Sequence, residues 1–176
     1  MAEGVRAEKA DRDKPLNIEA DQLVHDDARQ ISIFSGKVVA TKGTIVLRGD
    51  RFEVRQDPQG NQFGLVLPEA GQRAFFRQKR EGLNEFMEGE AERIEYDGRS
   101  DRVTLAGRAV LRRFRGATLN DELSGQLIVY DNVSDRFTID SGSPGSSARG
   151  GSAGSSRVRA WLTPSPSPSP LGGASK

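Results

Sequence analysis

The sequence predicts an all-β fold, largely antiparallel, of the sandwich, roll or barrel kind, followed by a C-terminal tail. Three observations carry this. Apolar residues between Pro15 and Asp140 recur with period two, turn chemistry interrupts them at short intervals, and the pattern repeats within the chain. Each alternating segment has one face for an interior and one for water.

In chain order, Leu16, Ile18 and Ala20 alternate with Asn17, Glu19 and Asp21 to form the first strand. Ile33-Phe34-Ser35 runs to Gly36-Lys37, read as a turn, and the chain resumes at Val38. Ile45 and Leu47 alternate with Thr44, Val46 and Arg48, and Phe52 and Val54 with Arg51, Glu53 and Arg55. Phe75-Phe76, the only adjacent aromatic pair, marks a further strand, with a loop at Glu81-Gly82-Leu83-Asn84. The inward set continues with Ile94, Tyr96, Leu105, Leu111, Ile128, Tyr130, Phe137 and Ile139, and Phe75 is assigned to it. Turns are expected at His25-Asp26-Asp27, Lys42-Gly43, Asp57 to Asn61, Asp97 to Ser100 and Asp131 to Ser134. Glycine supplies positive φ there, and Asp and Asn bond their own backbone.

The hexads Ala20 to His25, Gly49 to Val54, Ala91 to Tyr96 and Gly125 to Tyr130 share one form: small, polar, any, apolar, any, then aromatic, imidazole or β-branched. After the first and third comes a strand ending at glycine, Gly36 or Gly107, so the body reads as two copies of one hairpin-rich unit. Such units stack to cover each other's apolar faces.

Composition sets the boundaries. Residues 141–176 hold five of the eight prolines, seven of the twenty glycines and no acid, which reads as a disordered tail. Residues 1–14 read as a flexible N-terminal segment and 15–140 as the folded body. Removing the tail's four basic residues leaves 22 Lys and Arg against 25 Asp and Glu, so the body carries −3 and nucleic acid is not an expected partner. No cysteine is present, which excludes disulfide and thiolate chemistry.

Enzyme chemistry lacks a carrier: no phosphate-cradling loop or metal-binding helix motif appears, no cofactor is expected, and the protein reads as a non-enzyme. The one histidine, His25, occupies the slot of Tyr96 and Tyr130 in other copies and reads as an edge residue. Glu88, Glu90, Glu92 and Glu95 form the densest acidic patch; the first three share one strand face, read as a solvated face whose repulsion prevents aggregation. Arg77, Lys79, Arg80, Arg112, Arg113 and Arg115 are basic clusters that either face solvent or meet phosphates, with solvent favoured. What remains is the inward face, an apolar groove suited to hydrocarbon.

Asp13 to Gln22, Phe34-Ser35-Gly36-Lys37-Val38, Gly43 to Asp50, Glu88-Gly89-Glu90-Ala91 and Tyr96-Asp97 together resemble the OstA family of periplasmic lipopolysaccharide-transport proteins. The resemblance covers about residues 13–140. It implies a twisted antiparallel β-jelly roll open at both ends, with lipid A acyl chains inside and copies joined head to tail through edge strands. It implies LptC with the inner-membrane LptBFG complex, and LptD–LptE at the outer membrane, as partners. Leu16 and Ile18 then fall near the lipid entrance, and Phe75 and Tyr96 deeper. The residues expected to line the groove are those two with Phe34, Val38, Ile45, Leu47, Phe52, Val54 and the inward set above. No signal peptide is present in the sequence, as in a mature periplasmic form. A related domain of the same machinery, LptC-like or from the translocon N-terminus, and a scaffold that binds no lipid, stay open as alternatives.

Overall fold

Alternation becomes twelve strands in the computed structural model, which describes residue 11 and residues 14–80, 84–142 and 157–164. They are β1 (Leu16–Glu19), β2 (Gln22–Asp26), β3 (Ile31–Lys42), β4 (Ile45–Gln56), β5 (Gln62–Leu67), β6 (Ala74–Lys79), β7 (Glu85–Ala91), β8 (Arg93–Asp97), β9 (Arg102–Arg115), β10 (Thr118–Asp131), β11 (Arg136–Asp140) and β12 (Arg159–Leu162). All pairings are antiparallel.

Four long strands, β3, β4, β9 and β10, each serve two layers. One layer runs β2-β3-β4-β5-β8-β9-β10-β11, using the N-terminal halves of β3 and β9 and the C-terminal halves of β4 and β10. The other runs β1-β3-β4-β6-β7-β9-β10-β12, using the remaining halves. The inner faces of both meet in one core that includes Phe52, Val66, Ile94 and Leu105 from the first layer and Ala40, Phe76 and Leu111 from the second. This is the twisted, open jelly roll that the family resemblance implies.

The device that bends a strand from one layer to the other corrects a sequence reading. Gly36-Lys37 is not a turn between strands but a bulge inside β3, where the register with β4 shifts between Ser35 and Val38. Gly36 and Lys37 both take positive φ, 83° and 48°, and Gly107 and Arg108 repeat this at 80° and 43° inside β9. A bulge kinks its strand and increases local twist, so a motif that looks like a hairpin turn serves instead to fold the sheet over. Gly49 and Gly125, first in their hexads, sit at the matching bends of β4 and β10. A Cβ on either would come within 2.7–2.8 Å of the carbonyl oxygen of Leu67 or Asp140. That is why these two hexads begin with glycine.

The hexads are thus the first-layer strands, and each rim turn starts from an aspartate. Asp131 Oδ1 accepts from the amides of Val133 and Ser134, and Asp97 Oδ1 from those of Arg99 and Ser100. Asp57 Oδ1 accepts from Gln59 and Asn61. The hydrogen bond from Ser134 is the main cause that holds the Asp131 carboxyl below its ordinary range.

The tail assignment needs one addition. Within the stretch whose composition reads as disordered, β12 adds four residues to β10, Asp121↔Leu162 to Ser124↔Arg159, and Thr163 N donates to the Asn120 carbonyl at 3.1 Å. Residues 143–156 and 165–176 lie outside the described residues, as do 81–83 of the expected loop and most of the N-terminal segment. Asp11 is described: its carboxylate accepts from Thr44 N at 2.8 Å and Thr44 Oγ1 at 2.5 Å, which pins the chain to the β3–β4 turn.

Candidate functional site

Sixteen of the seventeen residues assigned to the groove do face the interior. Val38, Phe52, Ile94, Leu105, Leu111, Ile128 and Tyr130 are buried outright, while Leu16, Ile18, Phe34, Ile45, Leu47, Val54, Tyr96, Phe137 and Ile139 are half-buried against that core. Phe75 is the exception. In β6 the inward residues are Ala74, Phe76 and Gln78, all buried, and Phe75 lies on the outer face with the Arg48 guanidinium 5.3 Å from its ring centre. The strand is in the expected place, but its inward frame is shifted by one residue, which flips the pair.

Between the layers the structure leaves an apolar slot of about 50 Å³. Phe52, Val54, Ile94, Tyr96 and Val103 form one wall, Leu16, Ala40, Ile45, Leu47 and Phe76 the other, and Lys42, Gln62, Phe63 and Gly64 complete the lining. Ala40, Phe76 and Val103 belong to this lining although the sequence reading did not assign them to the inward set. A larger hollow of about 590 Å³ on the outside of the first layer is lined by Glu53, Arg55, Glu95, Asp97 and Arg102 among others, so it is charged where the slot is apolar.

Toward the β9–β11 side the rim turns polar. Tyr130 Oη donates to Asp135 Oδ1 at 2.9 Å, and Asn132 Nδ2 to Asp101 Oδ1 at 3.1 Å. Arg80 pairs with Asp135 and, at 3.1 Å, with Glu85, whose other oxygen meets Arg115 at 3.1 Å. Arg113 pairs with the buried Asp121. Burial, reinforced by the neighbouring Asp135 carboxylate, pushes the Tyr130 phenol far above its ordinary range, so it stays a neutral donor at every physiological pH.

On the outer face the acidic patch is not a repulsive surface. Glu88 meets Arg77 at 3.4 Å, Glu90 meets Arg112 at 2.8 Å and Arg73 at 3.3 Å, Glu92 meets Arg108 at 2.6 Å, and Glu95 pairs with Arg93. Of the basic clusters, Arg77 and Arg112 are therefore tied to carboxylates on the outside, and Arg80 and Arg113 stand at the inner rim. His25 is half-exposed on β2, its Nδ1 2.9 Å from Ser32 Oγ, as an edge residue should be. Among the described residues no group of three or more His, Cys, Asp or Glu is placed to hold a metal ion.

An apolar interior with a polar rim suits an amphiphile, and the comparisons with known proteins bear on which. Residues 17–136 match the family described as LptA/(LptD N-terminal domain) LPS transport protein. The chain belongs to that family. It is 32% identical over 120 residues to the lipopolysaccharide export system protein LptA of Escherichia coli K12, covering 68% of this chain and 61% of that one. It is 29% identical over 122 residues to the export protein LptH of Pseudomonas aeruginosa, covering 69% and 66%. The chain thus spans about 61% of the E. coli relative's length. The crystal structure of P. aeruginosa LptH, an LptA-homologous periplasmic component of a lipopolysaccharide transport device, superimposes with a TM-score of 0.72, covering 88% of this chain and 99% of that one at 24% identity. That likeness establishes the same fold.

Proposed function

We propose that this chain is a periplasmic lipopolysaccharide-binding bridge that passes acyl chains through its interior and continues that interior by head-to-tail assembly. LptC with LptBFG and LptD–LptE are its partners at the two membranes. Family membership supports the substrate, and the slot supports the mode of binding: each methylene moved from water into it is worth about 0.8 kcal/mol. The phosphates and sugars stay at the polar rim.

The observation that carries the assembly is internal. The two repeat units within one chain already join through two antiparallel pairings, β5 with β8 and β6 with β7. By the repeat, β11 and β12 occupy the places of β5 and β6, and β2 and β1 those of β8 and β7. Among the described residues β1 and β2 pair only with β3, and β11 and β12 only with β10, so each keeps one edge. Most of the exposed apolar residues lie on or beside these strands: Leu23 at 55%, Val24 at 53%, Trp161 at 56% and Leu162 at 61%. A second copy docked as the internal junction dictates covers them. Copying the internal register, in which Phe75 faces Glu90 and Phe63 faces Asp97, sets Arg159 against the next copy's Glu19 and Arg136 against its Asp26. Strand addition of this kind supplies affinity through the backbone and register through side chains, and a head-to-tail contact that does not close gives an open filament.

Two measurements test the reading. A photocrosslinker at position 18 is expected to capture lipopolysaccharide, and Ile18→Glu to abolish binding by the purified protein; unchanged binding in that variant would remove the groove. Arg159→Glu is expected to shorten the assemblies seen by native mass spectrometry, and Glu19→Arg in the same chain to restore them. Shortening that the second change fails to rescue would reject this register.

A further inference from the structure

The slot is too small for the cargo proposed above. Sites that bury small ligands run to roughly 300–1,000 Å³, whereas the free room here is about 50 Å³ and lies on the β1–β6 side. Beyond it, toward β10 and β11, the inner faces close on each other through Leu105, Leu111 and Ile128, each 2% exposed or less. Packed interiors do not stretch gradually; they rearrange between discrete arrangements. For an acyl chain to travel from one end of the roll to the other, the layers must part along their rim, and something must hold that rim when no cargo is present.

We propose that Arg80 and Asp135 form a latch across the opening of the roll, and that its release admits hydrocarbon to the β10–β11 half. Arg80 closes the base of the β6–β7 hairpin in the second layer, its amide donating to the Glu85 carbonyl at 2.9 Å. Asp135 stands in the β10–β11 turn of the first layer with φ of 52°. Their ion pair therefore joins the layers, and both side chains are largely sheltered, at 14% and 27% exposure. Each half is held by its own layer. Glu85 grips the Arg80 guanidinium at 3.1 Å and Tyr130 Oη holds the Asp135 carboxylate at 2.9 Å. On opening, Arg80 keeps the Glu85 carboxylate as its counter-charge, and Asp135 keeps the Tyr130 hydroxyl as a donor while its freed oxygen gains water, so neither group is left buried and unsatisfied. A rim bond whose two halves are satisfied separately is suited to repeated opening.

This inference rests on the lipid-bridge reading, and the test separates the two. The chain has no cysteine, so Arg80→Cys with Asp135→Cys gives two thiols that a short reducible bis-thiol reagent can tether, with bridging verified by intact mass. In the full chain, photocrosslinkers at Ile45, on the slot, and at Ile139, on β11, report where lipopolysaccharide reaches. Tethering is expected to leave the adduct at 45 and suppress the one at 139, with reduction restoring it. Asp135→Asn, which keeps a side chain that tolerates positive φ, is expected to raise the adduct at 139 about tenfold, the change that loss of one charge-assisted hydrogen bond supplies. Equal adducts at 139 with the tether closed and cut, or no rise in Asp135→Asn, would overturn the latch. No adduct at either position in the untethered protein would overturn the lipid reading beneath it.

Discussion

Phe76→Ala is expected to destabilise the fold by about 3–5 kcal/mol, while Phe75→Ala next to it costs about 1 kcal/mol or less. The two residues share composition, strand and sequence neighbourhood and differ only in face. Phe76 is 1% exposed and belongs to the central cluster, opposite Leu47 and Gly89 on the two flanking strands. Its removal leaves a void that the bent sheet cannot collapse to fill. Phe75 is half-buried under Arg48 on the outside, where truncation removes a cation–π contact and some surface cover. Urea unfolding followed by circular dichroism measures both. Comparable losses in the two variants would mean that the register of β6 is displaced by one residue.

That pair also shows where sequence reasoning ran short. The adjacent aromatic pair marked β6 as a strand but left two frames, because both residues at 75 and 76 are aromatic. The signal that decides between them lay just downstream: the frame of Phe75 continues to Arg77 and Lys79, both charged, whereas the frame of Phe76 contains Ala74 and Gln78. A polar residue inside, Gln78, disguised the inward frame. The bulges were misread for a different reason. Gly-Lys with positive φ is equally good chemistry for a hairpin turn and for a bulge. The distinction is that Ile31–Ser35 and Val38–Lys42 pair with the same neighbour, β4, which is a long-range fact.

The acidic patch was misread for want of range, and β12 was missed within the tail through averaging. Glu88 and Glu90 find Arg77, Arg73 and Arg112 on strands β6 and β9 or just before them, and a carboxylate run looks repulsive until cross-strand register is known. In the tail, a four-residue strand is hidden by the glycine, serine and proline around it, and its pairing depends on the β10 edge being vacant. The inward set, by contrast, was legible almost entire. In strands with one wet face, alternation alone specifies which residues meet, and the hexads reported the two-unit repeat before any pairing was known.

The second large effect is expected at the inner polar rim. Asp121→Ala should cost about 3 kcal/mol or more, whereas Arg113→Leu combined with Asp121→Leu should cost far less. Asp121 is 3% exposed although it carries a charge, and Arg113 beside it already has an Nε without a partner. Deleting the carboxylate leaves the guanidinium, two-thirds sheltered, without its counter-charge. Deleting both removes the desolvation cost together with the attraction. The carboxylate has a second task, since Asp121 Oδ1 also accepts from Thr163 N at 3.1 Å, which fastens the end of β12 to β10. Asp121→Ala therefore loosens the edge that the next copy is proposed to use. The double apolar variant restores stability without restoring that bond, so it separates the two tasks. Urea midpoints should recover in the double variant, while the Thr163 amide, left with only the Asn120 carbonyl as acceptor, should exchange faster than in the starting protein. If Asp121→Ala alone proves as stable as the starting protein, then Arg113 has enough water in the folded state to stand unpaired, and the polar rim is wetter than its burial indicates.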